Sequence, residues 1–179
     1  KYTDFFIENY NLLTGSDYSL KHIVLPIGIS FFTFQLIAFL VDSYRGETKQ
    51  YDIVNYLLFI TFFPQLIVGP IIHHGEIVPQ FENTDNLKIN YDNIAKGLFL
   101  FSIGCAKKIL LADPMTTSAQ SFFNDVATNP GTLMTWFYSV EYTISYYFDL
   151  SGYADMAIGL GLMFNIVIPQ NFESPYKAR

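Results

Sequence analysis

The stretch IVLPIGISFFTFQLIAFLV, residues 23–41, decides the fold class. It contains no Asp, Glu, Lys or Arg, and its polar interruptions are Ser30, Thr33 and Gln35. A helix needs about 17 to 25 mostly apolar residues to cross a bilayer, so this run predicts a membrane-spanning helix. We expect its three polar side chains to face protein, because unpaired polar groups in hydrocarbon are costly.

Further apolar runs follow this one along the chain, at residues 56–72, 94–112, 134–150 and 153–168. They are too long for β-strands, so the sequence predicts an all-α fold, part of a polytopic transmembrane helical bundle with about four to five helices. Some of these helices should be kinked or broken. Small residues recur in the last run, where they permit close contact between helices: Ala154, Ala157, Gly159 and Gly161.

Proline and glycine predict where the helices stop. Pro64 should break the second run, because proline removes a helical hydrogen bond and clashes with the preceding turn. Asp113-Pro114 is expected to end the third run, since the residue before proline avoids the helical region. A polar connector is then predicted at 115–131, and Ser151-Gly152 is predicted to separate the last two runs.

The whole chain, 1–179, is interpreted as one partial membrane domain. Its predicted parts are an interfacial segment (1–22), membrane helices with their connectors (23–168), and the start of a loop (169–179). Composition agrees, because charged residues make up only 15% of the chain and the mean hydropathy is +0.26; soluble domains carry about 25% charged residues. A net charge of −6 without a basic run argues against nucleic-acid binding.

Two segments carry groups that favour a functional site. The segment 148–156 holds Asp149, Ser151 and Asp155, which either line a polar patch inside the bundle or cap the following helix. A carboxylate near the centre of an apolar run, Glu141, should face the bundle interior. In the second run, Gln65, Gly69 and Pro70 either line a cavity at a broken helix or mark a simple kink.

Other polar residues have simpler interpretations. The pair His73-His74 does not favour a metal site, because adjacent side chains point apart on a helix, so both histidines are expected at a solvated interface. The pair Lys107-Lys108 is interpreted as an interfacial anchor. Cys105 is not expected to carry an acyl group.

Four blocks of sequence together resemble one family, the membrane-bound O-acyltransferases, and in particular its alginate O-acetylation branch. They are LPIGISFFTFQ (25–35) with DSYRG (42–46), FFPQ (62–65) with GPI (69–71) and PQF (79–81), GCAKK (104–108) with AD (112–113), and YFDLSGYADMAIG (147–159) with Pro169, Asn171-Phe172 and Pro175-Tyr176. The blocks run from about residue 23 to the end in the family's order.

The resemblance implies a bacterial, multi-pass enzyme of the inner membrane that transfers an acyl group to hydroxyls of an exported polysaccharide such as alginate. It implies an acyl donor (acetyl-CoA or an acyl carrier) as substrate, no bound cofactor, and periplasmic acetylation proteins, the polysaccharide and the lipid bilayer as partners. The family's catalytic histidines follow the block at Pro175-Tyr176, so the catalytic residue is expected beyond residue 179 and this piece alone should be inactive.

The resemblance leaves a supporting role for the polar candidates. Within the chain, the residues expected to line a tunnel or support the catalytic group are Gln65, Gly69, Pro70, Glu141, Asp149, Ser151, Tyr153 and Asp155. The alternative is a non-enzymatic polytopic membrane protein, either a transporter or an assembly partner, because broken helices and an intramembrane carboxylate suit that class as well.

Overall fold

The computed structural model describes residues 2–24, 28–46, 52–66, 73–125 and 131–172, which form helices and turns without any β-strand among them. The all-α prediction is confirmed. In chain order the elements are α1 (Thr3–Thr14), α2 (Ile29–Arg45), α3 (Ile53–Thr61), α4 (Phe63–Leu66), α5 (His74–Glu82), a 3₁₀ turn (Thr84–Leu87), α6 (Tyr91–Ala106), a π-helical turn (Lys107–Ala112), α7 (Asp113–Asn124) and α8 (Thr132–Met163).

None of the described helices is both long and apolar enough to cross a bilayer. The helix that forms in the apolar run 23–41 is α2, which begins at Ile29 rather than at residue 23. Gln35 is buried, as predicted, whereas Ser30 and Thr33 are exposed. The Thr33 hydroxyl donates to the Ile29 carbonyl one turn earlier, so its polar group is satisfied within its own helix.

The predicted break in the second apolar run is confirmed. Helix α3 begins with Asp52 as its N-cap, whose carboxylate accepts from the Ile53 amide at 2.8 Å, and it ends at Thr61. Phe62 is extended, with ψ at 96°, and α4 follows with Pro64 near its start, where proline is tolerated.

A long helical hairpin dominates the described structure. One arm is α6, the π-helical turn and α7 in unbroken succession, and the other arm is α8, running antiparallel to it. Gly97 faces Gly159 and Gly104 faces Gly152, so close that a Cβ on Gly97 or Gly104 would lie 2.5 Å from the carbonyl oxygen of its opposite glycine. The predicted role of small residues in helix contact is confirmed.

The hairpin corrects three predictions of where helices stop. Asp113-Pro114 does not end a helix. In an α-helix, proline removes the backbone hydrogen bond to the residue four positions earlier. The turn just before Pro114 is π-helical, with a spacing of five residues, and this accommodates the proline. Residues 115–124, the first part of the connector predicted at 115–131, therefore belong to α7. Ser151-Gly152 does not interrupt α8, since both residues are buried against the opposite arm and their small size serves packing.

A second contact joins α3, α5 and the segment after α8. Its core contains Phe59, Ile77, Val78 and Ile168, all buried. The side chain of Gln80 on α5 makes two hydrogen bonds with the backbone of Val167. Gln80 Nε2 donates to the Val167 carbonyl at 3.0 Å, and Gln80 Oε1 accepts from the Val167 amide at 2.7 Å.

Asn165 fixes the chain reversal after α8. Its φ is +59°, a left-handed conformation that asparagine tolerates better than most residues. Its side-chain amide donates to the carbonyls of Asn86 at 2.9 Å and Lys88 at 2.7 Å, and its oxygen accepts from Asn93 at 3.0 Å. One side chain therefore ties the end of α8 to the segment that leads into α6.

Candidate functional site at the π-helical turn

The π-helical turn Lys107–Ala112 brings two consecutive lysines to α8. Isolated π-helical turns are rare and occur often at functional sites. Lys107 and Lys108 meet carboxylates from α8 and from the start of α7. We call the lysines with Asp113, Asp149, Ser151 and Asp155 the lysine–aspartate network.

Lys107 is held by two groups of α8 that lie one helical turn apart. Its ammonium donates to the Ser151 hydroxyl at 3.0 Å and to the Asp155 carboxylate at 2.5 Å. Ser151 is 2% exposed, while the lysine and aspartate side chains are 29% and 20% exposed. The spacing of four residues predicted from the sequence therefore places a hydroxyl and a carboxylate around one cation.

Lys108 joins α7 to α8. Its Nζ lies 2.6 Å from Asp113 Oδ1 and 2.7 Å from Asp149 Oδ1, and it stands 5.6 Å from the centre of the Tyr153 ring, within cation–π range. The contact with Asp149 is an ion pair without hydrogen-bond alignment, so this buried oxygen has no hydrogen-bond donor among the described residues.

The charges of the network limit its chemistry. Two ammonium groups face three carboxylates, so the formal charges of the network sum to a negative value, which does not favour binding of a phosphate. Both ammonium groups are paired with carboxylates, so neither is placed as a free general base. The arrangement suits holding a segment of α8 in place better than proton transfer.

The network excludes one of the two interpretations of the acidic segment. Asp149 and Ser151 do not cap a helix, because both lie inside α8. Lys107 and Lys108, interpreted from the sequence as an interfacial anchor, are both paired across the hairpin. The signal for this pairing was the presence of charges of both signs in apolar runs, since buried charges require partners.

Of the other candidate residues, Glu141 lies apart from the network. Glu141 is half-buried on α8, about two turns before Asp149, with the Ser118 hydroxyl 3.5 Å from its carboxylate. The side chain of Gln65 lies outside the described residues, as do Gly69 and Pro70.

Both histidines of the pair His73-His74 approach Asp42 at the end of α2. Their Nδ1 atoms lie 3.7 Å and 3.5 Å from the same carboxylate oxygen. His74 is buried, which corrects its predicted solvated position, and the ring of Phe39 packs edge-on against it at 5.3 Å. Within the described ranges, no group of three or more His, Cys, Asp or Glu residues is arranged to hold a metal ion.

Comparison with known proteins identifies the class. Residues 13–178 match the MBOAT family of membrane-bound O-acyltransferases, so the chain belongs to this family. It is 45% identical over 203 aligned positions to a peptidoglycan O-acetyltransferase of Helicobacter pylori, covering 99% of this chain and 38% of the relative.

Less similar relatives are named for different substrates. The chain is 38% identical to a probable alginate O-acetylase, AlgI, of Pseudomonas aeruginosa, covering 98% of the chain and 34% of that protein. A teichoic acid D-alanyltransferase of Bacillus subtilis is 26% identical over 84% of the chain and 38% of its own length. The chain thus spans between a third and two-fifths of the length of these relatives.

Proposed function

We propose that this chain is part of a membrane O-acyltransferase that transfers an acetyl group to a hydroxyl of a cell-envelope or exported polysaccharide. The observation that carries the proposal is 45% identity to a peptidoglycan O-acetyltransferase across 99% of the chain. Peptidoglycan is therefore the first acceptor to test and alginate, named for the 38% identical relative, the second.

The proposed setting is the bacterial inner membrane, with the full-length protein crossing it several times. The acyl donor is acetyl-CoA or an acyl carrier, and periplasmic acetylation proteins are partners. The family description and the apolar sequence runs support this setting. So do the exposed apolar side chains on both arms of the hairpin, which suit an apolar environment: Leu98, Phe99, Leu110, Trp136 and Phe137.

Acetyl transfer needs a base, because the acceptor hydroxyl must lose its proton as it attacks the acyl carbonyl and the donor's thiol leaves. The lysine–aspartate network contains no neutral imidazole and its lysines are paired. We therefore propose that the base comes from a part of the protein outside the network, and that Asp149, Ser151, Tyr153 and Asp155 shape or support the site.

The test uses the full-length protein in membrane vesicles with its partner proteins. Radiolabelled acetyl-CoA or an acetylated carrier is supplied, and label is measured on peptidoglycan, on alginate and on a deacetylated control glycan. Base-labile label on one glycan supports the proposal and identifies the acceptor. Label that crosses the membrane without reaching any glycan would instead favour the transporter, and no label movement in folded protein would contradict the proposal.

A further inference from the structure

The two arms of the hairpin are held together independently of their charges. Backbone contacts between Gly97 and Gly159 and between Gly104 and Gly152 fix the arms on one side of the π-helical turn. On the other side, Phe122 stacks on Tyr138 with ring centres 4.1 Å apart. Helix association therefore does not require the ion pair between them.

The ion pair of Lys107 and Asp155 is also a poor source of stability. Both side chains are mostly withdrawn from water, and the desolvation of two charges offsets much of their attraction. Apolar residues of similar volume often hold such a position equally well or better. Lys107 also begins a π-helical turn, a conformation that is rare in proteins.

We propose that Lys107 is a positioning residue for acyl transfer. Through its bonds to Ser151 and Asp155 it fixes the rotation of the α8 turn that also carries Tyr153, next to Asp149. The π-helical turn serves this role because it lets Lys107 reach α8 while Lys108 holds Asp113 and Asp149. This inference rests on the proposed function of the full-length protein.

The decisive variant removes the charges without removing the packing. In Lys107→Met/Asp155→Leu, apolar side chains of similar length replace both members of the pair. We expect the full-length variant to accumulate in membranes and to melt within about 3 °C of wild type. We expect kcat for acetyl transfer to fall about 10- to 100-fold with a smaller change in KM, because small displacements of active groups have effects of this size.

Two further variants distinguish a positioning role of Lys107 from a role in folding. Lys107→Arg keeps the charge and the donors, so it should retain kcat within about threefold of wild type. The matched control is Lys88→Met/Asp85→Leu, which replaces an exposed pair, 2.7 Å apart, between the 3₁₀ turn and the residue that follows it. Exposed pairs contribute little, so the kcat of this control should match wild type.

The outcomes are distinct. A folded Lys107→Met/Asp155→Leu variant with wild-type kcat overturns the positioning role, and so does one that fails to fold, since the network would then be structural. Activity lost equally in Lys107→Arg also overturns it. An inactive wild-type protein refutes the proposed function itself, and the positioning role with it.

Discussion

Substitution Gly104→Ala tests the closest helix contact in the hairpin. The new methyl group would lie 2.5 Å from the Gly152 carbonyl oxygen, 2.7 Å from Met156 Cγ and 2.8 Å from the Met156 amide nitrogen. Two of these atoms are backbone, so the helices must separate. Overpacking of this kind costs about 1–3 kcal/mol, while alanine regains about 0.5–1 kcal/mol of helix propensity.

The expected net loss is therefore about 0.5–2 kcal/mol, and the melting temperature should fall below that of wild type. The assay is thermal unfolding of the purified full-length protein in detergent, followed by the loss of helical circular dichroism. The matched control is Gly75→Ala on α5, where a Cβ has nothing within 4 Å, so that variant should be neutral or slightly stabilised. A Gly104→Ala protein that melts at or above the wild-type temperature would refute the close packing described here.

The remaining predictions concern two side chains away from the hairpin seam, both followed by the same melting assay. Asn165→Ala should lose about 2–4 kcal/mol, because it removes three hydrogen bonds and leaves alanine at a φ of +59°; Asn165→Gly should lose less, and equal losses would contradict the backbone argument. His74→Ala should lose about 1–3 kcal/mol, because it empties a buried site beside Asp42. His73→Ala, at a side chain 67% exposed, should change stability little, and a larger loss there would contradict the assignment.

The apolar runs were sufficient to predict the helical class, because their length excludes strands. The breaks were predictable only where local geometry decides them. Pro64 breaks its helix as expected, whereas Pro114 is accommodated by a π-helical turn that no local propensity indicates. Glycine often interrupts a helix, but Gly152 instead permits close packing against Gly104, which is distant in sequence.

Of the candidate site, only the residues on α8 were predictable from the sequence. Asp149, Ser151 and Asp155 lie close together in the chain, so their shared region of α8 follows from helical spacing. Their cationic partners come from the other arm, and only the antiparallel alignment of α6 with α8 brings Lys107 to Ser151 and Asp155. Likewise, the burial of His74 depends on the docking of α5 against α2, which local sequence does not encode.

The π-helical turn also sets the rotation of α7 about its axis relative to α6. A π-helical turn is equivalent to one extra residue in an α-helix, and each residue rotates the helix by about 100°. Deleting a single residue from 107–112 would restore a regular helix and turn α7 by that angle relative to α6. The glycine contacts of α6 could then stay in place only if Thr116 left Ser145 and Phe122 left Tyr138. The extra residue thus rotates α7 relative to α6, so that both ends of this arm direct their contact residues toward α8.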